Sequence, residues 1–265
     1  MDNNLVVIDD FVNFDDYVDH LHDVFVNVNI DIDINVKLDI DIHLFDDHGV
    51  MNHVSIIYTH WAQNPERSTM MYSSLESLLQ TAGGSQIIVC DNGGNDMDSH
   101  YLLELCIQGK VASYTRYRHN MHLGYARNDA LSRATGQYIV ITDNDVEFKD
   151  GWLEECVQWL EATPGKYLAT PLSPDPMNQV RSVRWAGEAN GWRLNTRAGS
   201  NAFVMKRETV QELGRFQENS TITGCRYNDK WIHAGYLMGV MPEPKAVDLG
   251  LRMGNNWKTF TFQPL

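Results

Sequence analysis

The sequence predicts an α/β protein whose mainly parallel sheet is flanked by helices on both faces. From about residue 53 onward, short apolar runs rich in β-branched residues alternate with amphipathic stretches of helical spacing. Turn-forming polar segments follow several of these runs, which marks where the strands end. Strands that are separated by helices usually pair in parallel and are buried on both faces, which gives the predicted fold class.

The first predicted unit is a strand, a loop and a helix. Residues 53–58, HVSIIY, form the short apolar run of a buried strand, and the polar residues 60–67 follow it as a loop. Over residues 68–80 the apolar side chains recur at intervals of three and four residues, which predicts an amphipathic helix.

The next units repeat this alternation. Residues 86–90, QIIVC, predict a second strand that ends at the turn-forming tetrad Asp91-Asn92-Gly93-Gly94. A helix over residues 99–107 and a third strand over residues 111–116 follow. A helix is also predicted over residues 122–134.

The fourth predicted strand, residues 138–142, runs directly into Asp143-Asn144-Asp145. In parallel sheets ligands bind beyond the carboxyl ends of the strands, where these acidic residues and Asp91 are expected. Two Asp in a D-x-D arrangement can face one hard cation, whose charge neutralises a diphosphate. The chain has no GxxxxGK[ST] motif and no GxGxxG after its first strand, so a P-loop NTPase is excluded and dinucleotide binding is unsupported.

The charge of the chain is concentrated at its N-terminus. The formal net charge is −14, and residues 1–50 hold 13 Asp, no Glu and one basic residue, Lys37. The other 215 residues hold 22 acidic and 20 basic residues and are therefore nearly neutral. These numbers predict two parts, an acidic N-terminal extension over residues 1–50, for which poor order is one open interpretation, and a globular domain over residues 51–265. A net negative charge disfavours a nucleic-acid partner, because phosphate contacts need clustered Lys and Arg.

Within the extension, residues 30–44 alternate strictly between apolar and polar residues, which is the pattern of one half-buried strand. Three interpretations stay open. The segment is an edge strand or extension with a solvated acidic face, a site for a divalent cation or a basic partner, or a part that the working protein does not need. The EF-hand spacing is missing.

The remaining composition points to an intracellular protein. The four cysteines, Cys90, Cys106, Cys156 and Cys225, include no CxxC pair and predict reduced, mostly buried thiols. The longest apolar stretches are far shorter than the roughly 20 residues of a membrane span, and the N-terminus lacks the pattern of a signal peptide. We therefore expect a cytoplasmic protein without a transmembrane segment, and a peripheral association with a membrane stays open.

Six segments in order resemble the glycosyltransferases of family 2, which have the GT-A fold. The match extends in order from about Val54 to Gly250, some three quarters of the chain, and the order of the segments is specific for the fold and much less so for the sugar. The segments are VSIIYTHW (54–61), VCDNGG (89–94), NMHLGYARNDAL (120–131), GQYIVITDND (136–145), AGSNAFVMKRETVQELGRF (198–216) and YNDKWIHAGY (227–236).

The resemblance implies a nucleotide site at the strand ends. Thr59, Asp91 and Asn92 would hold the nucleobase and ribose of a sugar nucleotide, since a carboxylate accepts hydrogen bonds from a base N–H or a ribose hydroxyl. Arg127, in the segment GYARN, would balance the charge of the nucleotide. Asp143 and Asp145 resemble the DxD pair that binds Mn²⁺ or Mg²⁺ against the diphosphate.

The resemblance also implies an inverting transfer, which needs a base for the acceptor hydroxyl. The family usually supplies it from a Glu-Asp pair just before a helix, and the matching pair here is Asn228-Asp229. Asp229 is therefore the expected base, although an N-terminal helix cap is its alternative role. Many relatives have His-Leu-Gly after the last core strand, whereas this chain has Asp248-Leu249-Gly250, so Asp248 is a candidate third metal ligand.

Residues 182–195 are rich in Trp and Arg, and in this fold that region often frames the acceptor. Trp185 and Trp192 could stack on a sugar and Glu188 could bind its hydroxyls, although a Trp there also suits the core. The resemblance implies transfer of a hexosyl or N-acetylhexosaminyl group from a nucleotide-sugar donor, UDP-linked rather than GDP- or dTDP-linked, to a glycan, lipid-linked or other hydroxyl acceptor. A non-catalytic nucleotide- or sugar-binding module and a sugar-phosphate nucleotidyltransferase are the alternatives.

Overall fold

The computed structural model has an α/β fold and describes residues 25–31, 37–43, 54–82, 84–172, 184–196, 201–218 and 223–252. The strands are β1 (Phe25–Asp31), β2 (Lys37–His43), β3 (Val54–His60), β4 (Gln86–Asp91), β5 (Ser113–Arg116), β6 (Tyr138–Asp143), β7 (Val146–Phe148), β8 (Tyr167–Thr170), β9 (Trp185–Ala189), β10 (Trp192–Asn195), β11 (Ala202–Lys206), β12 (Leu237–Val240) and β13 (Ala246–Asp248). The helices are α1 (Pro65–Thr81), α2 (Asp96–Ile107), α3 (Leu123–Arg133), α4 (Trp152–Ala162), α5 (Arg207–Leu213), α6 (Thr223–His233) and α7 (Leu249–Arg252).

The centre of the main sheet is parallel, as the alternation of strands and helices predicts. The sheet has 11 strands in the order β1-β2-β5-β4-β3-β6-β11-β8-β12-β10-β9. Strands β5, β4, β3 and β6 are mutually parallel, whereas β11 runs antiparallel to β6 and most of the outer pairs are also antiparallel. A second sheet consists of β13 and β7. The fold is therefore mixed at its edges and parallel where the candidate site lies.

The central strands are buried on both faces, which explains their nearly continuous apolar runs. In β3, Ile56 and Tyr58 belong to one hydrophobic cluster and Ile57 belongs to the other. In β6, Val140 faces the first cluster, while Ile139 faces the second. Helices on each side supply the opposite walls of these clusters, as in other α/β proteins.

The first two helices begin three residues earlier than the apolar periodicity predicts, because Asn side chains cap them. The Asn64 side chain accepts a hydrogen bond from the backbone N–H of Arg67, and Pro65 occupies the first turn of α1. Asn95 caps α2 in the same way through the N–H of Asp98. These caps place Arg67 and Asp98 in the first turns of their helices, next to the candidate site.

The N-terminal extension contributes two strands to the sheet. Strands β1 and β2 form an antiparallel pair, and β2 also pairs antiparallel with β5. The prediction of one continuous strand over residues 30–44 is therefore wrong, since that run is divided between the two strands. A period of two is equally compatible with both arms of a hairpin, whose seven-residue strands pair with each other.

The cysteines of the described part of the chain are buried thiols, as the composition predicts. Cys90, Cys106 and Cys156 are buried and form no disulfide, while the side chain of Cys225 lies outside the described residues. No helix in the described ranges combines the length and apolar character needed to cross a lipid bilayer.

Candidate active site

Three neighbouring strands end together and bring the predicted site residues to one edge of the sheet. Thr59 lies opposite Cys90 of β4 and opposite Asp143 of β6 in the parallel registers. Asp91 is the last residue of β4, and Asp143 is the last residue of β6. Residues separated by more than 80 positions in the chain therefore share one edge.

A buried ion pair joins α3 to the end of β6. The Nη2 atom of Arg127 lies 2.7 Å from Oδ1 of Asp143, and the Arg127 side chain is completely buried. The ring of Phe216 packs against the guanidinium, with 5.4 Å between its centroid and the guanidinium carbon. Burial raises the pKa of the Asp143 carboxyl, and the positive charges of Arg127 and Arg67 oppose that rise.

Asp145 has the most unfavourable electrostatic position among these carboxylates. Its Oδ1 atom is buried and has no hydrogen-bond partner, while its backbone carbonyl accepts from the N–H of Leu249 at 2.7 Å. Burial, and then the negative charges of Asp143 and Asp248, raise the pKa of Asp145 to about 8. A buried carboxylate oxygen without a donor is costly unless a cation faces it.

The pairing of β13 with β7 brings Asp248 to the same place. Asp248 lies opposite Val146, the residue after Asp145, and its Oδ2 accepts from Nδ2 of Asn201 at 2.5 Å. A Cβ added to Gly250 would lie 3.0 Å from Oδ2 of Asp145 and 3.2 Å from Oδ1 of Asp248. One small space therefore lies between two carboxylate oxygens, and the glycine keeps it open.

These residues fit a divalent cation that shares its coordination with a substrate. Within the described residues, no three His, Cys, Asp or Glu side chains are arranged to enclose an ion by themselves. Asp145 and Asp248 supply only oxygen ligands, which Mg²⁺ and Mn²⁺ accept, and such sites commonly combine one or two carboxylates with substrate phosphates.

The Asp91 carboxylate accepts several hydrogen bonds from other residues of the protein. It is completely buried, and its Oδ1 accepts from the N–H of Gly94 at 2.8 Å. Its Oδ2 accepts from the hydroxyls of Ser99 and of Tyr114, the latter at 3.1 Å, and lies 3.7 Å from Nε of Arg116. Asp91 thus shapes the turn that follows β4.

The neighbouring Asn92 and Thr59 are both buried, but their hydrogen bonding differs. The Asn92 side chain accepts from the N–H of Met121 at 2.8 Å and donates to Asn120 at 3.1 Å, so it holds the loop before α3. Thr59 is only 4% exposed, and its hydroxyl has no hydrogen-bond partner. Of these two residues, only Thr59 has a buried polar group without a hydrogen-bond partner in the described part of the chain.

Asp229 lies inside a helix rather than at its beginning. Helix α6 starts at Thr223, and the backbone carbonyl of Asp229 accepts from Nδ1 of His233 at 2.6 Å. The expected position before a helix, and the alternative role as an N-terminal cap, are therefore both wrong. The buried Tyr227 and Trp231, on either side of Asp229 in the chain, are four residues apart and lie on one face of this helix, which is the spacing of a continuous helix through Asp229. The Asp229 side chain is exposed.

The two tryptophans of the expected acceptor region have different environments. Trp192 is 5% exposed and stacks on Trp159 with 4.8 Å between ring centroids, so it is a core residue and cannot stack on a sugar. Trp185 is 39% exposed, and the guanidinium of Arg193 covers one face of its ring at 3.5 Å from the centroid. Glu188 is exposed and lies opposite Arg193 in the pairing of β9 with β10. Of these three residues, Trp185 and Glu188 are exposed and Trp192 is buried.

The structure adds site residues that the sequence did not single out. The positive charge of Arg67 opposes the rise in the pKa of Asp143 and of Asp145, and Asn201 donates a hydrogen bond to Asp248. His60 is completely buried and contacts Asn144. The Asn cap before Arg67 was a usable signal for the position of that residue, whereas nothing in the sequence pairs Asn201 with Asp248.

Comparison with known sequences gives a family match over this region. The sequence model described as glycosyl transferase family 2 matches residues 66–205, more than half of the chain. No curated protein sequence matches the chain significantly.

Solved structures of glycosyltransferases share the fold. A mannosyltransferase from Pyrobaculum calidifontis in complex with GDP-Man and Mn²⁺ is 19% identical with a TM-score of 0.61, and the match covers 78% of this chain and 59% of that one. GalNAc-T7 with UDP, GalNAc and Mn²⁺ is 13% identical with a TM-score of 0.60, with coverage of 77% and 44%. TarS from S. aureus in complex with UDP-GlcNAc is 14% identical with a TM-score of 0.54, with coverage of 71% and 55%. The chain thus spans about half the length of these proteins, and at such identities the likeness concerns the fold.

Proposed function

The chain belongs to glycosyl transferase family 2, and we propose that it transfers a sugar from a nucleotide-sugar donor to a hydroxyl acceptor, with inversion at the anomeric carbon. The proposed donor is UDP-linked, and the proposed transfer depends on Mn²⁺ or Mg²⁺. The observation that carries the proposal is the Asp145 carboxylate at the carboxyl edge of the sheet. Its buried Oδ1 has no hydrogen-bond partner among the described residues, and its Oδ2 lies with Oδ1 of Asp248 around the space beside Gly250.

The charges around this oxygen suit a diphosphate. A divalent cation, when bound, would offset the negative charge that develops on the departing diphosphate. Arg127 is held against Asp143, and Arg67 lies close enough to lower the pKa of both Asp143 and Asp145. These two guanidinium groups would balance the remaining phosphate charge, since a guanidinium offers several donors in a fixed plane.

The nucleoside would lie over the ends of β3 and β4. The unpartnered hydroxyl of Thr59 would bond to it directly. Asp91 and Asn92 would act mainly by holding the turn after β4 and the loop before α3 in place, because their own hydrogen bonds already lie within the protein.

For the acceptor side, we propose Asp229 as the base, with Trp185 and Glu188 as acceptor contacts. An inverting transfer forms the new bond in one displacement, so a carboxylate must take the acceptor proton as the bond forms. The exposed side chain of Asp229 is accessible for this task, as are Trp185 and Glu188.

The test begins with donor binding. Calorimetry with a panel of UDP-, GDP- and dTDP-sugars, with Mn²⁺ or with a chelator, should show binding that needs the metal. Asp145→Asn should remove this binding, whereas Asp150→Asn, an exposed Asp five residues further on, should leave it intact. Unchanged donor binding in Asp145→Asn would contradict the metal assignment.

Turnover then separates an enzyme from a binding module. With an accepted substrate, NMR should show a product anomer opposite to that of the donor, and retention would contradict inversion. Asp229→Asn should lower kcat strongly with donor affinity unchanged, while Glu208→Gln, an exposed acid on α5, serves as its control. Tight nucleotide binding with no transfer to any acceptor would favour the non-catalytic module.

A further inference from the structure

His60, at the end of β3, is a buried polar residue that the proposed reaction does not use. Its side chain is completely buried. Nδ1 lies 3.2 Å from Nδ2 of Asn144, and Nε2 lies 3.4 Å from Oδ2 of Asp98. Asn144 is the middle residue of the Asp143-Asn144-Asp145 turn, so the imidazole connects that turn to the first turn of α2.

The chemistry of both neighbours assigns the same tautomer to His60. Nε2 faces the Asp98 carboxylate at 3.4 Å but forms no hydrogen bond within the described residues, and a proton on Nε2 is the state that suits an acceptor at that side of the ring. At the other end, Nδ2 of Asn144 lies 3.3 Å from the carbonyl oxygen of Trp61, which also only accepts. The Asn144 amide therefore turns its NH₂ group toward His60, and Nδ1 must accept from it.

Asp98 is itself held in place by hydrogen bonds from neighbouring side chains. Its Oδ2 accepts from the hydroxyl of Ser68 at 2.7 Å and from Nδ2 of Asn95 at 2.7 Å. Gly94 leaves room for the imidazole, because a Cβ there would lie 2.5 Å from Nε2 of His60. Rotation of the ring would break contacts on both sides.

We propose that His60 is a positioning residue, which holds the turn between Asp143 and Asp145 through the side-chain amide of Asn144. This proposal rests on the proposed function, because the turn carries the carboxylates assigned to the metal and the diphosphate. A residue that orients metal ligands without binding the metal itself commonly contributes about 10- to 100-fold in metal affinity. The hydrogen bond from Asn144 to Nδ1, rather than the bulk of the imidazole, is the contact that matters.

Two variants of nearly equal polarity separate the two contacts of the ring. In His60→Asn the side-chain oxygen lies as many bonds from Cβ as Nδ1 does, so the acceptor for Asn144 is retained. In His60→Gln the side-chain nitrogen lies as many bonds from Cβ as Nε2 does, so only the donor to Asp98 is retained. Both variants remove ring volume from the same buried position and are therefore controls for each other's loss of stability.

The measurement is the affinity for Mn²⁺ by calorimetry on the whole chain, with thermal unfolding of the metal-free protein as the control. We expect His60→Gln to weaken Mn²⁺ binding about 10-fold or more and His60→Asn to keep most of the affinity. In a double-mutant cycle, adding Asn144→Ala to His60→Gln should weaken binding no further than either change alone. Equal losses in the two His60 variants, or additive losses in the cycle, would overturn the proposal.

A spectroscopic measurement keeps this proposal distinct from the proposed function. NMR of protein with ¹⁵N-labelled histidine should show the Nε2–H tautomer of His60, with Nδ1 in the range of a hydrogen-bond acceptor. The opposite tautomer would overturn the positioning role whether or not metal binds. If the tautomer is as expected but the wild-type chain binds neither Mn²⁺ nor sugar nucleotide, the proposed function fails. The role of His60 is then overturned as well, because the turn that it holds binds no metal.

Discussion

The guanidinium of Arg127 lies 2.7 Å from the carboxylate of Asp143, and the side chain of Arg127 is completely shielded from solvent. Removing one partner of a buried pair leaves the other charge uncompensated, which costs more than losing the attraction itself. We therefore expect Arg127→Met to lower the free energy of unfolding by about 3–5 kcal/mol. Urea denaturation measures this change.

Two comparisons check the cause of that loss. Adding Asp143→Asn to Arg127→Met should restore part of the stability, because the unpaired carboxylate is gone. Arg215→Met removes an exposed pair with Glu218 and should cost about 1 kcal/mol or less. Equal losses for Arg127→Met and Arg215→Met would contradict the buried-pair explanation.

Gly250 keeps open the space between Asp145 and Asp248. The methyl group of Gly250→Ala would lie 3.0 Å and 3.2 Å from their carboxylate oxygens, so these oxygens must move by a few tenths of an ångström. We expect weaker Mn²⁺ binding with little change in the unfolding temperature of the metal-free protein. Calorimetry and thermal denaturation in a chelator provide the two readings, and unchanged Mn²⁺ affinity would argue against an ion between these two carboxylates.

Asp98 should make the stability of the protein depend on pH. Burial alone would raise its pKa, but hydrogen bonds from His60 and Ser68 lower the pKa of Asp98 below its usual value. Its carboxylate therefore stabilises the fold above the pKa of the unfolded chain, about 3.9, and this stabilisation is lost as pH falls through the folded-state value.

Asp98→Asn is accordingly expected to cost about 1–3 kcal/mol at pH 7, and the difference from wild type should shrink below about pH 4. Urea unfolding at several pH values gives the comparison. Asp96→Asn, an exposed carboxylate two residues earlier, is the matched control and should change stability little at any pH. A difference that grows toward low pH would show that the sign is wrong.

The two tryptophans should separate core packing from acceptor binding. Trp192→Ala is expected to lower the free energy of unfolding by about 3–5 kcal/mol, because the side chain is buried against Trp159. Trp185→Ala should cost only about 0.5–1 kcal/mol, the contribution of an exposed contact with Arg193. If Trp185 contacts the acceptor, the same variant raises the KM for the acceptor and leaves donor binding unchanged; an unchanged acceptor KM would remove it from the site.

The proposed boundary near Met51 can be tested by removing residues 1–50. The residues assigned to the site lie between Thr59 and Gly250, so we expect a chain of residues 51–265 to bind Mn²⁺ and donor as the full chain does. Because β2 pairs with β5, the shortened chain should unfold at a lower temperature. Loss of donor binding in a folded shortened chain would assign the extension a part in the site.

Local patterns in the sequence were sufficient for the central architecture. Strands β3, β4 and β6 are short apolar runs because both of their faces are buried, and that property is written in consecutive residues. The carboxylates that follow β6 could be located for the same reason, since a strand end is a local feature. Alternation predicts one strand where the structure has two, β1 and β2, because a period of two does not show where one strand ends and the next begins.

The environment of a side chain depends on residues that are distant in the chain, so it follows from tertiary packing and not from the local sequence. Trp192 and Trp185 have similar sequence surroundings, yet one stacks on Trp159 and the other faces solvent. Three further features arise only when the elements pack. Arg127 becomes buried, Asp91 accepts hydrogen bonds from Ser99 and Tyr114, and His60 contacts Asn144. Consecutive residues are enough to locate the strand ends and the residues that stand there. Long-range packing sets which of their polar atoms remain without a partner, because desolvation and hydrogen bonding depend on every neighbour in space.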